Sequence, residues 1–69
     1  MSDEQNLILE QWKALCELVE GMDMDIRKNA NGNNLAGVRA RKELRKLKKA
    51  SSDLVRATIE ADKQRKNNK

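Results

Sequence analysis

The chain has no histidine, no proline, no phenylalanine and no tyrosine, and only one cysteine and one tryptophan in 69 residues. Without histidine or a second cysteine there is no ligand set for a structural zinc ion, and Cys16 cannot close a disulfide within one chain. Cys16 falls in the apolar pattern of the first helical stretch, so it reads as buried filler in a reducing interior rather than as a reactive thiol. Lacking proline and nearly lacking aromatics, but rich in Leu, Ala, Glu, Lys and Arg, the chain has almost nothing from which to build strands and reads as all-α. No apolar run approaches the roughly 18 residues of a membrane span, and the acidic N-terminus lacks the order of a secretory signal, so a cytoplasmic protein without membrane contact is expected. The length allows a single small domain over 1–69, whose limited core calls for self-association as a homodimer or a higher homo-oligomer.

The same inventory argues against catalysis. There is no serine in a nucleophile-elbow context and no glycine-rich phosphate loop, and Asp23 and Asp25, two apart on a helix, point to different sides. Glu20, Asp23 and Asp25 read as a solvated acidic face rather than a cation site. No enzyme activity, cofactor, metal or small-molecule substrate is expected.

Charge is abundant and unevenly placed. Residues 1–26 carry one Lys against seven carboxylates, a net of −6, whereas residues 27–69 carry fourteen Lys and Arg against four carboxylates, a net of +10. The two parts have different electrostatic roles.

A first helix is expected over about 3–29, with Ser2 as its N-cap and Asp3 and Glu4 complementing the helix dipole in its first turn. Ile8, Trp12, Leu15, Val19, Met22 and Ile26 alternate by four and three, which is a heptad seam of core and dimer positions. Leu9, Cys16 and Leu18 widen it beyond what one neighbouring helix covers, so a bundle is expected. Gly21 inside this pattern is explained by the close approach of a second helix. Arg27 and Lys28 suit the C-terminus, and the Asn-rich segment 30–34 reads as the turn, with Asn33 or Asn34 as the N-cap of the second helix.

That second helix, over about 35–64, repeats the spacing with smaller residues, Gly37, Ala40, Leu44, Leu47, Ser51, Leu54, Thr58 and Ala61. The short connection implies an antiparallel two-helix hairpin, dimerising into a four-helix bundle or a coiled-coil-like assembly. Residues 65–69 are expected to form a frayed basic tail.

At about 100° per residue, Arg39, Arg41, Lys42, Arg45, Lys46, Lys48, Lys49 and Arg56 fill the arc of this helix opposite its small apolar residues, and Glu43 interrupts it. With Lys63, Arg65 and Lys66 they are the candidate phosphate contacts. A merely solvated face usually interleaves acids and bases, which this one does not. Base reading calls for a braced recognition helix, and single-strand binding for aromatic platforms; neither is evident, and Trp12 belongs to the seam. The surface therefore points to sequence-nonspecific binding of double-stranded DNA by phosphate neutralisation. Two alternatives stay open: RNA binding through A-form phosphates, and a helical oligomerisation or adaptor module that docks on an acidic protein partner. For DNA binding, the acidic first helix is expected to face away from the basic arc.

Gly32-Asn-Asn-Leu-Ala-Gly-Val-Arg-Ala-Arg-Lys42, followed by Leu44, Leu47-Lys48 and Asp53-Leu54-Val55-Arg56, resembles the small bacterial linker-histone-like proteins, the chlamydial histone-like family. The resemblance covers about residues 30–62. It implies DNA compaction and a nucleoid-associated, chromatin-organising role, carried by Arg39, Arg41 and Lys42. Where that family has aromatic residues just before the turn, this chain has Lys28 and Asn29, and it lacks the long Lys- and Ala-rich tail of some members, which implies weaker condensation.

Overall fold

A computed structural model describes residues 3–67, with side-chain exposure described for residues 6–66. It consists of two helices, α1 (Asp3–Ala30) and α2 (Asn34–Asn67), folded back on each other as an antiparallel hairpin. No strand occurs among the described residues. The expected Ser2 cap and the last two tail residues, 68–69, lie outside them. The rest of the expected tail is not frayed: Arg65, Lys66 and Asn67 continue α2. Helix propensity and the i,i+3 pair Asp62–Arg65 extend the helix past its last apolar residue, Ala61.

The turn is built by its asparagines and one glycine. The Gly32 N–H donates to the Asn29 carbonyl at 2.9 Å, and the Asn33 N–H to the Lys28 carbonyl at 3.0 Å. These two bonds satisfy carbonyls that the end of α1 would otherwise leave free. The geometry needs the left-handed backbone that Gly32 supplies with φ 102°. Asn33 then caps α2, its Oδ1 accepting from the Ala36 N–H at 3.0 Å. Asn29 ties the two ends together, its Nδ2 donating to the Asn33 carbonyl at 3.2 Å.

The helices touch through small residues. Among the described residues only Met22, Ala36, Gly37, Ala40 and Ala61 are buried, with Ile8, Leu15, Leu18, Leu47, Ala50, Leu54 and Ala57 half-buried at their flanks. Cys16, expected as buried filler, is half-buried as well. The close approach expected at Gly21 occurs elsewhere. Gly21 is exposed, with nothing within 4 Å of where its Cβ would stand, whereas a Cβ on Gly37 would stand 2.9 Å from Asn29 Cγ. It is the bend of the hairpin, not the middle of α1, that needs the missing side chain.

The result is a rod of 55 × 17 × 12 Å. Its radius of gyration, 16.0 Å, exceeds the roughly 11 Å of a globule of this length. Most of each helix therefore faces outward.

Candidate nucleic-acid interface

The buried line of α2 runs through Ala36, Ala40, Leu47, Leu54 and Ala61, and it fixes where the cations go. At about 100° per residue, Arg41, Arg45, Lys48, Lys49, Arg56 and Lys63 project from the opposite half of the helix. All eleven expected contact residues, Arg39, Arg41, Lys42, Arg45, Lys46, Lys48, Lys49, Arg56, Lys63, Arg65 and Lys66, are exposed. They are densest next to the turn, where seven lie within residues 39–49 against Glu43 alone. Over 50–62 the balance reverses, with Arg56 against Asp53, Glu60 and Asp62. The basic surface is thus concentrated at the closed end of the rod, and α2 carries isolated cations beyond it.

Four of the eleven are engaged with carboxylates. Lys46 meets Glu43 at 3.3 Å, Lys63 meets Glu60 at 3.9 Å and Arg65 meets Asp62 at 3.2 Å, each pair within one helix and open to water. Exposed pairs of this kind contribute about 0–1 kcal/mol, so a phosphate can replace the carboxylate with little loss. For Arg41, Lys42, Arg45, Lys48, Lys49, Arg56 and Lys66, no carboxylate lies within 4.0 Å among the described residues.

Arg39 is in a different position. Its Nε donates to both Asp25 oxygens, at 3.3 and 3.2 Å, and its Nη2 to Oδ1 at 3.0 Å, a forked pair that joins α2 to α1. Asp25 is 22 % exposed in its side chain and Arg39 54 %. Hydrogen bonds from Arg39 hold the Asp25 carboxyl below its ordinary value, against the opposing effect of partial desolvation, and the charges of Arg39 and Lys28 add to the lowering. The Arg39 guanidinium is correspondingly raised, chiefly by its bonds to Asp25. One residue of the acidic helix does not face away from the basic arc: Asp25 reaches round to bind the first of its arginines, while Glu10, Glu17 and Glu20 are exposed and form no such pair among the described residues. The reason is register, because the residues flanking a tight turn are forced to be level with each other. Asp23, on another side of α1, pairs instead with Arg27 at 2.9 Å. Sequence reasoning missed the Asp25–Arg39 pair, although an Asp and an Arg placed almost symmetrically about the turn were a usable signal.

The seam of α1 is only partly covered. Met22 is buried and Ile8 and Leu15 are half-buried, but Trp12, Val19 and Ile26 are exposed, as is Leu44 on α2, while Leu47 and Leu54 are half-buried. On the other side of the contact line, Leu7 and Gln11 face Asp53, Arg56, Ala57 and Glu60 across an open groove, in which Gln11 Oε1 is buried without a hydrogen-bond partner. No helix among the described residues is long and apolar enough to cross a membrane.

A family model described as histone H1-like protein Hc1 matches residues 9–65. No curated protein and no solved structure matches the chain.

Proposed function

Because the chain belongs to the histone H1-like protein Hc1 family, we propose that it is a nucleoid-associated protein that binds double-stranded DNA without sequence preference, through the outward face of α2. The observation that carries this reading is the cluster of exposed cations opposite the buried line of α2, seven of which have no carboxylate within 4.0 Å among the described residues. Lys and Arg there neutralise phosphates and release condensed counterions. Arg41, Lys42, Arg45, Lys48 and Lys49 form the main contact. Arg56 and Lys66 extend it, and Lys46, Lys63 and Arg65 join by exchanging a surface carboxylate for a phosphate. Arg39 is committed to Asp25 and supports the hairpin first.

Nothing on this face is suited to reading bases. The cations lie along a long exposed helix with no third helix among the described residues to brace it in a groove, and the family membership favours duplex DNA over the RNA and adaptor alternatives. The chain acts as a homodimer, since a hairpin with five buried residues among those described, three alanines, a glycine and one methionine, leaves too much of its seam in water to stand alone. A mobility-shift titration with several unrelated duplexes tests the reading. Similar affinities that fall steeply with salt are expected, by roughly 0.9 in log K per log salt for each neutralised phosphate. Retention of one sequence alone, or of none at low salt, would overturn it.

A further inference from the structure

Of the eleven exposed large apolar residues, five gather along one side of the rod, whereas Leu7 lies on the other side and Leu9, Met24, Leu35, Val38 and Ile59 lie farther from the hairpin contact. Relative to the buried line of each helix, Asp25 and Arg39 lie to one side, as do Leu7 and Gln11 with Asp53 and Ala57. At about 100° per residue, Trp12, Val19 and Ile26 of α1 and Leu44 and Val55 of α2 all fall to the opposite side. They are between 40 and 57 % exposed. One long side of the hairpin is therefore closed by an ion pair near the turn and carries the small groove of Leu7, Gln11 and Ala57 farther along, and the other carries a longer unpartnered apolar strip to which both helices contribute.

Two twofold arrangements can cover such a strip with a second copy. An axis across the rod sets α1 on α1 and α2 on α2. An axis along the rod sets α1 of each copy on α2 of the other. Charge decides between them. Residues 3–30 hold three Lys and Arg against seven carboxylates, a net of −4, and residues 34–67 hold eleven against four, a net of +7. Packed helices lie about 8–10 Å apart, close to the screening length of about 8 Å at physiological salt. The crosswise axis would therefore set like charges beside each other on both pairs of helices, whereas the lengthwise axis alternates them.

Register favours the same choice. Asp25 is level with Arg39, and Leu7 and Gln11 with residues 53–60. A lengthwise axis keeps every level, so Trp12 meets the partner's Ser51 and Val55, and Val19 meets the partner's Leu44. On the rim, Glu20 and Asp23 come near Arg41 and Lys48 of the partner, as weak water-exposed pairs that a phosphate can displace.

We propose that a second copy of this chain covers the apolar strip about an axis along the rod, α1 on α2, so that the two basic faces point to opposite sides and one dimer joins two duplexes. The arrangement stands on apolar and charge matching alone; the joining of duplexes rests on the DNA-binding reading above.

Oxidation of the full chain tests the arrangement. Two single-cysteine variants are made, Cys16→Ser with Asp23→Cys and Cys16→Ser with Arg41→Cys. Mixed, they should form a covalent dimer at least several-fold faster than either alone. The parent should not couple through Cys16, because the two α1 helices lie on the diagonal of the bundle, beyond the Cα separation of about 7 Å that a disulfide spans. Rapid Cys16 coupling in the parent, no mixed disulfide, or a monomer in sedimentation equilibrium at micromolar concentration would each overturn it. The joining is read with one duplex on beads and a second, labelled duplex in solution. Capture of the labelled duplex at low salt supports it. Protein held on the beads without capture overturns joining and leaves DNA binding intact; protein not held at low salt overturns the DNA reading itself, while the disulfide result still decides the arrangement.

Discussion

The two helices use the same heptad spacing for opposite ends. α1 carries Ile8, Trp12, Leu15, Val19, Met22 and Ile26 on its seam, and of these only Met22 is buried. α2 buries small residues, three of them alanines, and gives most of its outward circumference to Lys and Arg, with Leu44 and Val55 at the edge of the contact. A narrow line of small residues lets α2 lie close to its neighbour while its cations stay in water. The large residues of α1 extend beyond what that line can cover. Apolar excess on one helix and cationic excess on the other thus have one cause: the hairpin contact is thin, which leaves an apolar and a cationic surface exposed, the two on which the proposed dimer and DNA contacts rest.

The hairpin should be damaged most severely at the one place where a large side chain of α1 is enclosed. Met22→Ala should cost about 2–4 kcal/mol, a large share of the stability of so small a domain, and thermal melting followed by circular dichroism should show it. Val19→Ala, at a seam position exposed within the hairpin, should change the melting temperature mainly at protein concentrations where chains associate. Equal effects of both substitutions at every concentration would contradict this division between hairpin core and partner surface.

The bend comes next. Gly32→Ala places a side chain at φ 102° and should destabilise the hairpin by about 1–2 kcal/mol. Gly21→Ala should do the reverse, raising stability by up to about 1 kcal/mol, because Gly21 is helical and a Cβ there meets nothing within 4 Å. Denaturant melts of the two variants should move in opposite directions from the parent.

The smallest effect joins the two helices electrostatically. Because the folded Asp25 carboxyl is held below its unfolded value, its pairing with Arg39 stabilises the fold above the ordinary carboxylate range, near pH 4. That contribution fades as pH falls through the lowered folded value. Asp25→Asn should therefore melt slightly earlier than the parent at neutral pH, and the gap should close in acid. A gap that persists unchanged at pH 2 would mean that the carboxylate charge is not what Arg39 recognises.

Much of this was legible in the residues. The spacing of Ile8 through Ile26, the Asn- and Gly-rich break and the Lys and Arg arc determine two helices, a hairpin and a basic face with little ambiguity, because each is a local pattern with its own physical signature. What was not legible depends on distances between segments. Whether Gly21 or Gly37 marks a close approach is set by where the other helix passes, and the pairing of Asp25 with Arg39 is set by the register of the turn. The end of α2 was misplaced for a different reason: a run of good helix formers carries a helix past its last apolar anchor, so the absence of such an anchor in 65–67 was a poor stop signal.

Binding of duplex DNA through its phosphates by the outward face of α2 is tested most directly by the salt dependence of binding by Arg45→Ala/Lys49→Ala. Both residues are exposed and lie away from the hairpin contact and from the apolar strip, so helicity and association should match the parent. Affinity for every duplex should fall, and the slope of log K against log salt should flatten by roughly 0.9 for each lost contact, or about 1.8 for the pair. A variant that binds as tightly as the parent, with the same slope across the salt series, would show that this face is merely solvated.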